Sequence, residues 1–170
     1  MRTALLALLL SSMAATACSA AGRSTPPTPE DFFRRPDRVQ IFLADNDQTW
    51  DMGPARDDTT PRSGFFLLPK EGPELSSKQR RALADLWVSA KDPASYPPRK
   101  CGFNPDIAFR FWIGKTWADA VVCFTCREIA FHDASGKPIP AAQAGFLDGF
   151  PVMQELAKQA FPEGGFNPGF

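Results

Sequence analysis

Seven consecutive residues constrain this chain more than any others: Ile107-Ala108-Phe109-Arg110-Phe111-Trp112-Ile113. Successive side chains on a strand point to opposite faces, so Ile107, Phe109, Phe111 and Ile113 share one face and Ala108, Arg110 and Trp112 the other. The stretch Trp117–Phe131, rich in Val, Phe and Ile, reads as the partner strand. Ile113-Gly114 between them suits a tight hairpin turn. Isoleucine fits poorly where φ must be positive, so a slightly longer loop through Lys115-Thr116 is an equal alternative.

Further elements flank this hairpin. Val39–Ala44 is a short β-branched and aromatic run, and Phe65–Leu68, bounded by Gly64 and Pro69, reads as a buried strand. Between them Asp45–Gly64 is a long polar loop. Its Asp45, Asp47 and Asp51 echo a calcium loop, but Trp50 stands where that geometry needs glycine and Arg56 where it needs glutamate. Ser76 and Gln79 form a capping box at the start of a helix, with Leu75 as its staple. Leu83, Leu86, Trp87 and Ala90 give that helix an apolar stripe, and Pro93 ends it. A second helix is expected over about Gly149–Phe161, with Pro151 in its first turn and Met153, Leu156, Ala157 and Ala160 on its buried face. These elements predict an α+β domain: a small, mostly antiparallel sheet with a hairpin in the C-terminal half and two helices packed on one face.

The 170 residues hold 19 Lys plus Arg against 19 Asp plus Glu and show no basic block, which argues against nucleic-acid binding. The beginning of the chain is distinctive. Arg2, the apolar Ala4–Leu10 and the small residues that follow have the layout of a removed signal peptide. Ala15-Thr16-Ala17-Cys18 resembles the lipobox of bacterial lipoproteins, which makes Cys18 the lipidated first residue of the mature chain. Ala15 stands where leucine is usual, so ordinary cleavage after Ala17 or Ala20 is the alternative. Ser19–Glu30 carries three prolines and no large apolar residue, as a flexible tether would. The expected organisation is a leader over 1–17, lipidated Cys18 and tether over 18–31, one domain over 32–163 and a loose tail over 164–170. Ser19 resembles the residue that follows the cysteine in lipoproteins sorted to the outer membrane. The expected location is therefore the outer membrane, facing the periplasm, with a soluble periplasmic or secreted protein as the alternative.

Export also bears on the cysteines, because an oxidising compartment favours disulfides. Cys123 and Cys126 lie within the expected strand Trp117–Phe131. Cα atoms three apart on a strand are about 10 Å apart, beyond the roughly 7 Å that a disulfide spans. A bridge between them requires a turn or bulge. If Trp112 pairs with Lys115, Cys101 falls opposite Cys126. Cys101–Cys126 is thus the expected disulfide, with Cys123 as the alternative partner of Cys101. Its loop closure is worth roughly 3–4 kcal/mol. A zinc site of Cys101, Cys123, Cys126 and His132 is the competing reading, although Cys123 and Cys126 point to opposite faces of a regular strand. His132, near a strand end, is expected to be solvated.

The pattern Cys101-x-Phe103-x-Pro105 followed by Val122-Cys123-Phe124-x-Cys126 resembles a group of bacterial secreted proteins and lipoproteins. The resemblance covers roughly Gly64–Phe161. Members often carry Pro-Arg-His after the Cys-x-Phe, where this chain has Pro105-Asp106-Ile107. The resemblance implies membership and brings no activity or cofactor. No nucleophile elbow, phosphate loop, dinucleotide fingerprint or His-Glu-x-x-His occurs. Ser-His-Asp chemistry would have to use His132, which has Asp133 beside it but no marked nucleophile. The expectation is a non-enzymatic binding or structural role, with no catalytic residue and no cofactor. Its partners would be a membrane reached through Cys18 and a protein or small molecule still to be identified. The alternative is a thiol- or zinc-dependent envelope protein.

Overall fold

A computed structural model describes residues 27–46, 59–88, 102–139 and 149–166 of the chain. The expected leader, Cys18, most of the tether, residues 47–58 of the acidic loop, Cys101, the side chain of Trp87 and the helix end near Pro93 lie outside them. Among the described residues six strands form one antiparallel sheet in the order β2-β3-β1-β4-β5-β6. The strands are β1 (Arg38–Asn46), β2 (Arg62–Ser63), β3 (Phe66–Glu74), β4 (Ile107–Ile113), β5 (Thr116–Cys123) and β6 (Glu128–Asp133). Three helices accompany them: α1 (Pro29–Arg34), α2 (Ser77–Val88) and α3 (Phe150–Ala160). The α+β class is the expected one.

The central hairpin forms with its turn one residue later than expected. Ile113 pairs with Thr116, and Gly114-Lys115 make the two-residue turn. Gly114 alone takes positive φ, at 58°, so the β-branched Ile113 stays extended. Trp112 therefore faces Trp117 rather than Lys115, which removes the register argument that placed Cys101 opposite Cys126.

The long strand expected over Trp117–Phe131 is two strands. β5 ends at Cys123, Phe124–Arg127 turn the chain, and β6 returns antiparallel from Glu128, opposite Cys123. No glycine or proline marks this turn; Arg127 takes the left-handed position, with φ 53°. Val122 and Ile129, its flanking apolar residues, sit directly opposite each other, so the apolar pattern runs through the turn unbroken.

β3 is longer than Phe65–Leu68, and Phe65 is not in it. Phe65 occupies the β2–β3 turn and is 81% exposed. The strand continues through Pro69 and Pro73 because each proline falls in an irregular step of the β1 register. Leu67 and Lys70 oppose Asp45 and Leu43, and Glu71 and Glu74 oppose Phe42 and Gln40, three residues against two each time. A bulge is where a strand tolerates the missing proline donor, and it bends and twists the strand.

One face of the sheet carries the main core. Val39, Ile41, Ile107, Phe109, Val122 and Phe131 pack with residues of all three helices in one cluster. α1 lies partly inside the expected tether. Thr28 caps it reciprocally with Asp31, and Phe33 sets its ring edge-on to Phe111 and Phe131 at 4.9 and 5.1 Å. Burying each such ring is worth about 1.5–3 kcal/mol, enough to hold a six-residue helix that has little stability of its own. α2 starts as expected, with Gln79 Oε1 accepting from the Ser76 N–H at 2.9 Å and Ser76 Oγ accepting from the Gln79 N–H at 3.4 Å. The expected loose tail is ordered at least to Phe166, which is buried and meets Phe124 edge-on at 6.0 Å.

Candidate functional site

The second face of the sheet also turns inward. Here the register lines up four polar residues across neighbouring strands: Gln40 opposite Arg110, Arg110 opposite Asp119, and Asp119 opposite His132. All four are buried. Arg110 grips Asp119 with both ends of its fork, Nε to Oδ1 at 2.8 Å and an Nη to Oδ2 at 2.9 Å, and donates to the carbonyl of Arg62 at 2.8 Å. The Phe42 and Trp117 rings flank the guanidinium at 5.3 and 4.9 Å. Burial pushes the Asp119 carboxyl up, and the Arg110 charge and hydrogen bonds pull it back. Arginine does not give up its proton, and the fork holds the carboxyl in salt-bridge geometry at 2.8 Å.

The row ends on Ser63, which belongs to the opposite edge of the sheet. β2 and β6 are the outermost strands, yet Ser63 Oγ lies 3.2 Å from His132 Nδ1. Ser63 is also among the neighbours that pull the Asp119 pKa down against burial. A Cβ on Gly64 would lie 2.6 Å from His132 Nε2, and Gly64 itself packs against Gly136. The sheet therefore curls until its edges meet, and side chains rather than a ladder close it. His132 is not solvated as expected; it is 5% exposed. Burial lowers its pKa, against the opposing charges of Asp119 and Asp133.

This cluster contains a serine, a histidine and an aspartate but not the logic of a triad. The Ser63–His132 contact can be donated from either side, according to the imidazole tautomer. Asp119 spends its carboxylate on Arg110 rather than orienting the histidine as a triad acid would. Ser63 and Asp119 are 2% and 1% exposed, so no substrate carbonyl can approach. Asp133, the acid beside His132 in sequence, accepts instead from the Ser135 and Lys137 N–H groups at 2.8 and 3.0 Å and fixes the following turn.

The cysteines differ from expectation. Cys123 and Cys126 are joined to each other, with Cα atoms 5.3 Å apart. The turn at Phe124–Arg127 brings together residues that a straight strand would separate, so the two proposed partners of Cys101 bond to one another. The Cys126 N–H donates to Cys123 Sγ at 3.1 Å, and Asp106 Oδ2 accepts from the Phe124 N–H at 2.7 Å. Both sulfurs belong to residues at most 2% exposed, the environment of a structural rather than a reactive cysteine. The zinc set is not assembled: His132 lies four residues along β6 from Glu128, the partner of Cys123, or about 13 Å away. Among the described residues no group of three or more His, Cys, Asp or Glu could hold a metal ion. No described helix is long and apolar enough to cross a membrane.

Next to the turn of the central hairpin Trp112 and Trp117 meet at 4.8 Å with their rings tilted by 48°, and Arg38 lies 4.2 Å from the Trp112 ring. Among the described residues the shielded Trp112 indole N–H has no hydrogen-bond partner. Sequence reasoning missed Ser63 and Asp119 altogether. The available signal was the opposite charge of Arg110 and Asp119 at equal distances from the Gly114-Lys115 turn. Comparison of the chain with protein-family models, with curated proteins and with solved structures gave no match.

Proposed function

We propose that this chain is an exported, lipid-anchored domain of the bacterial cell envelope, held by Cys18 and acting by binding or as a structural element rather than by catalysis. The observation that carries the non-catalytic reading is the position of His132. It is the chain's single histidine, and it is buried as a hydrogen-bonded link between sheet edges. The sequence up to Cys18 supports export, and the Cys123–Cys126 bridge fits an oxidising compartment. The bacterial secreted and lipoprotein group that the cysteine pattern resembles points the same way. Facing of the periplasm from the outer membrane rests on Ser19.

The test is metabolic labelling with a fatty acid in a bacterial host, comparing the full chain with Cys18→Ser. The expected result is label in the detergent-soluble membrane fraction for the full chain and none for the variant. An unlabelled, soluble full chain would overturn the anchor. Turnover of any substrate that His132→Gln abolishes in a folded protein would overturn the non-catalytic reading.

A further inference from the structure

We propose that the seam between β2 and β6 is a latch governed by the protonation state of His132, closed while the imidazole is neutral and released when it takes a second proton. The seam joins strands at opposite ends of the sheet order, so no continuous ladder holds it. Its links include Ser63 to His132, the close packing of Gly64 on the imidazole, and the Arg110 bond to the Arg62 carbonyl. β2 is only two residues long, and beyond its two pairs with β3 it adds the Leu68 N–H to Pro61 carbonyl bond at 2.8 Å. A two-residue edge strand can leave while the central strands stay paired.

The charges around the imidazole set the direction. On β5, Asp119 is already matched by Arg110 of β4. On β6, Asp133 projects from the opposite side of the strand and spends its carboxylate on Ser135 and Lys137. β2 offers the Ser63 hydroxyl and the Arg62 carbonyl, which Arg110 occupies, and β3 offers the Phe66 ring at 5.8 Å. A second proton would therefore place a cation in a buried seam with no counter-ion of its own and with the Arg110 guanidinium already in the same polar row. A histidine held neutral by its surroundings favours the closed state above its ordinary pKa and loses that advantage as pH falls below it. Acid opens the latch; base does not. With an imidazole of ordinary pKa in the open state, the opening constant rises by up to roughly thirty-fold at about pH 5.

Because the chain has one histidine, its imidazole resonance is unambiguous. The mature protein is titrated by NMR from about pH 8 to about pH 4.5, a range spanning ordinary histidine titration, while amide exchange is followed and corrected for its intrinsic pH dependence. The expected result is an imidazole that titrates below the ordinary histidine range, with exchange at the Leu68 amide rising as it does. The amides of Ile107–Ile113 hold their protection. His132→Gln keeps hydrogen-bonding capacity and cannot titrate, so its seam exchange is flat over the same range. Ser63→Ala, as a second variant, moves the imidazole titration back toward its ordinary value. The proposal is overturned if the imidazole titrates at or above the ordinary range, or if the seam stays protected while His132 protonates. It is equally overturned if β4 loosens with the seam, or if His132→Gln shows the same acid response as the parent.

Discussion

Arg110 and Asp119 hold the most consequential interaction at the scale of single residues. Both are buried, at 8% and 1% exposure, and each satisfies the other through two hydrogen bonds. Removing one partner strands a charge in the interior, whereas removing both leaves an apolar site. Asp119→Ala is therefore expected to cost about 3–5 kcal/mol, and Arg110→Met with Asp119→Leu to recover most of that loss, measured by urea unfolding. Equal losses in the single and double variants would contradict a paired burial. The apolar half of this arrangement is legible from the alternation of Ile107–Ile113 alone. The polar half is not, because alternation says only that Arg110 lies on the second face, not that this face folds inward. Ser63 carries no signal at all: it lies 69 residues from His132, and nothing local to either residue encodes the contact.

Elements with a local chemical cause could be read directly. The Ser76–Gln79 capping box starts α2, and the Met153–Leu156–Ala157 stripe faces the core from α3, because cap chemistry and helical spacing are properties of neighbouring residues. The elements that differ are decided by tertiary demands. Arg127 turns the chain without glycine, and Pro69 and Pro73 persist inside a strand because the bulges opposite β1 accept them. Thr28-Pro29-Glu30-Asp31 is a readable helix start, overshadowed by the prolines before it. Two glycines separate local from tertiary demand. Gly114 and Gly64 both begin two-residue turns, at φ 58° and 57°, but an added Cβ meets nothing within 4 Å at Gly114 and the His132 ring at Gly64. Gly114→Ala should cost only the left-handed conformation, about 1–2 kcal/mol. Gly64→Ala should cost more, through displacement of His132, and the difference in thermal or urea stability measures the seam. Equal costs would mean that the seam contributes nothing.

Seen as a whole molecule, the chain is a sheet with two inward faces: one packs against helices, the other against itself. The bulges of β3 give the curvature, and the Gln40–Arg110–Asp119–His132 row with Ser63 closes the curl. The disulfide sits at the far end of β6 from the seam, where it holds a four-residue turn. Closing so short a loop is worth about 2 kcal/mol, less than the expected Cys101 bridge would contribute. Export and anchoring, as proposed, make that bridge and the lipidation of Cys18 parts of one prediction. Peptide mass spectrometry of the chain from the membrane fraction, with and without reduction, tests both together. The account predicts a diacylglyceryl-modified Cys18 at the N-terminus and a peptide in which Cys123 and Cys126 are bridged until reduced. A soluble chain beginning at Cys18 or Ala21 without lipid, or Cys123 and Cys126 recovered as free thiols, would contradict it.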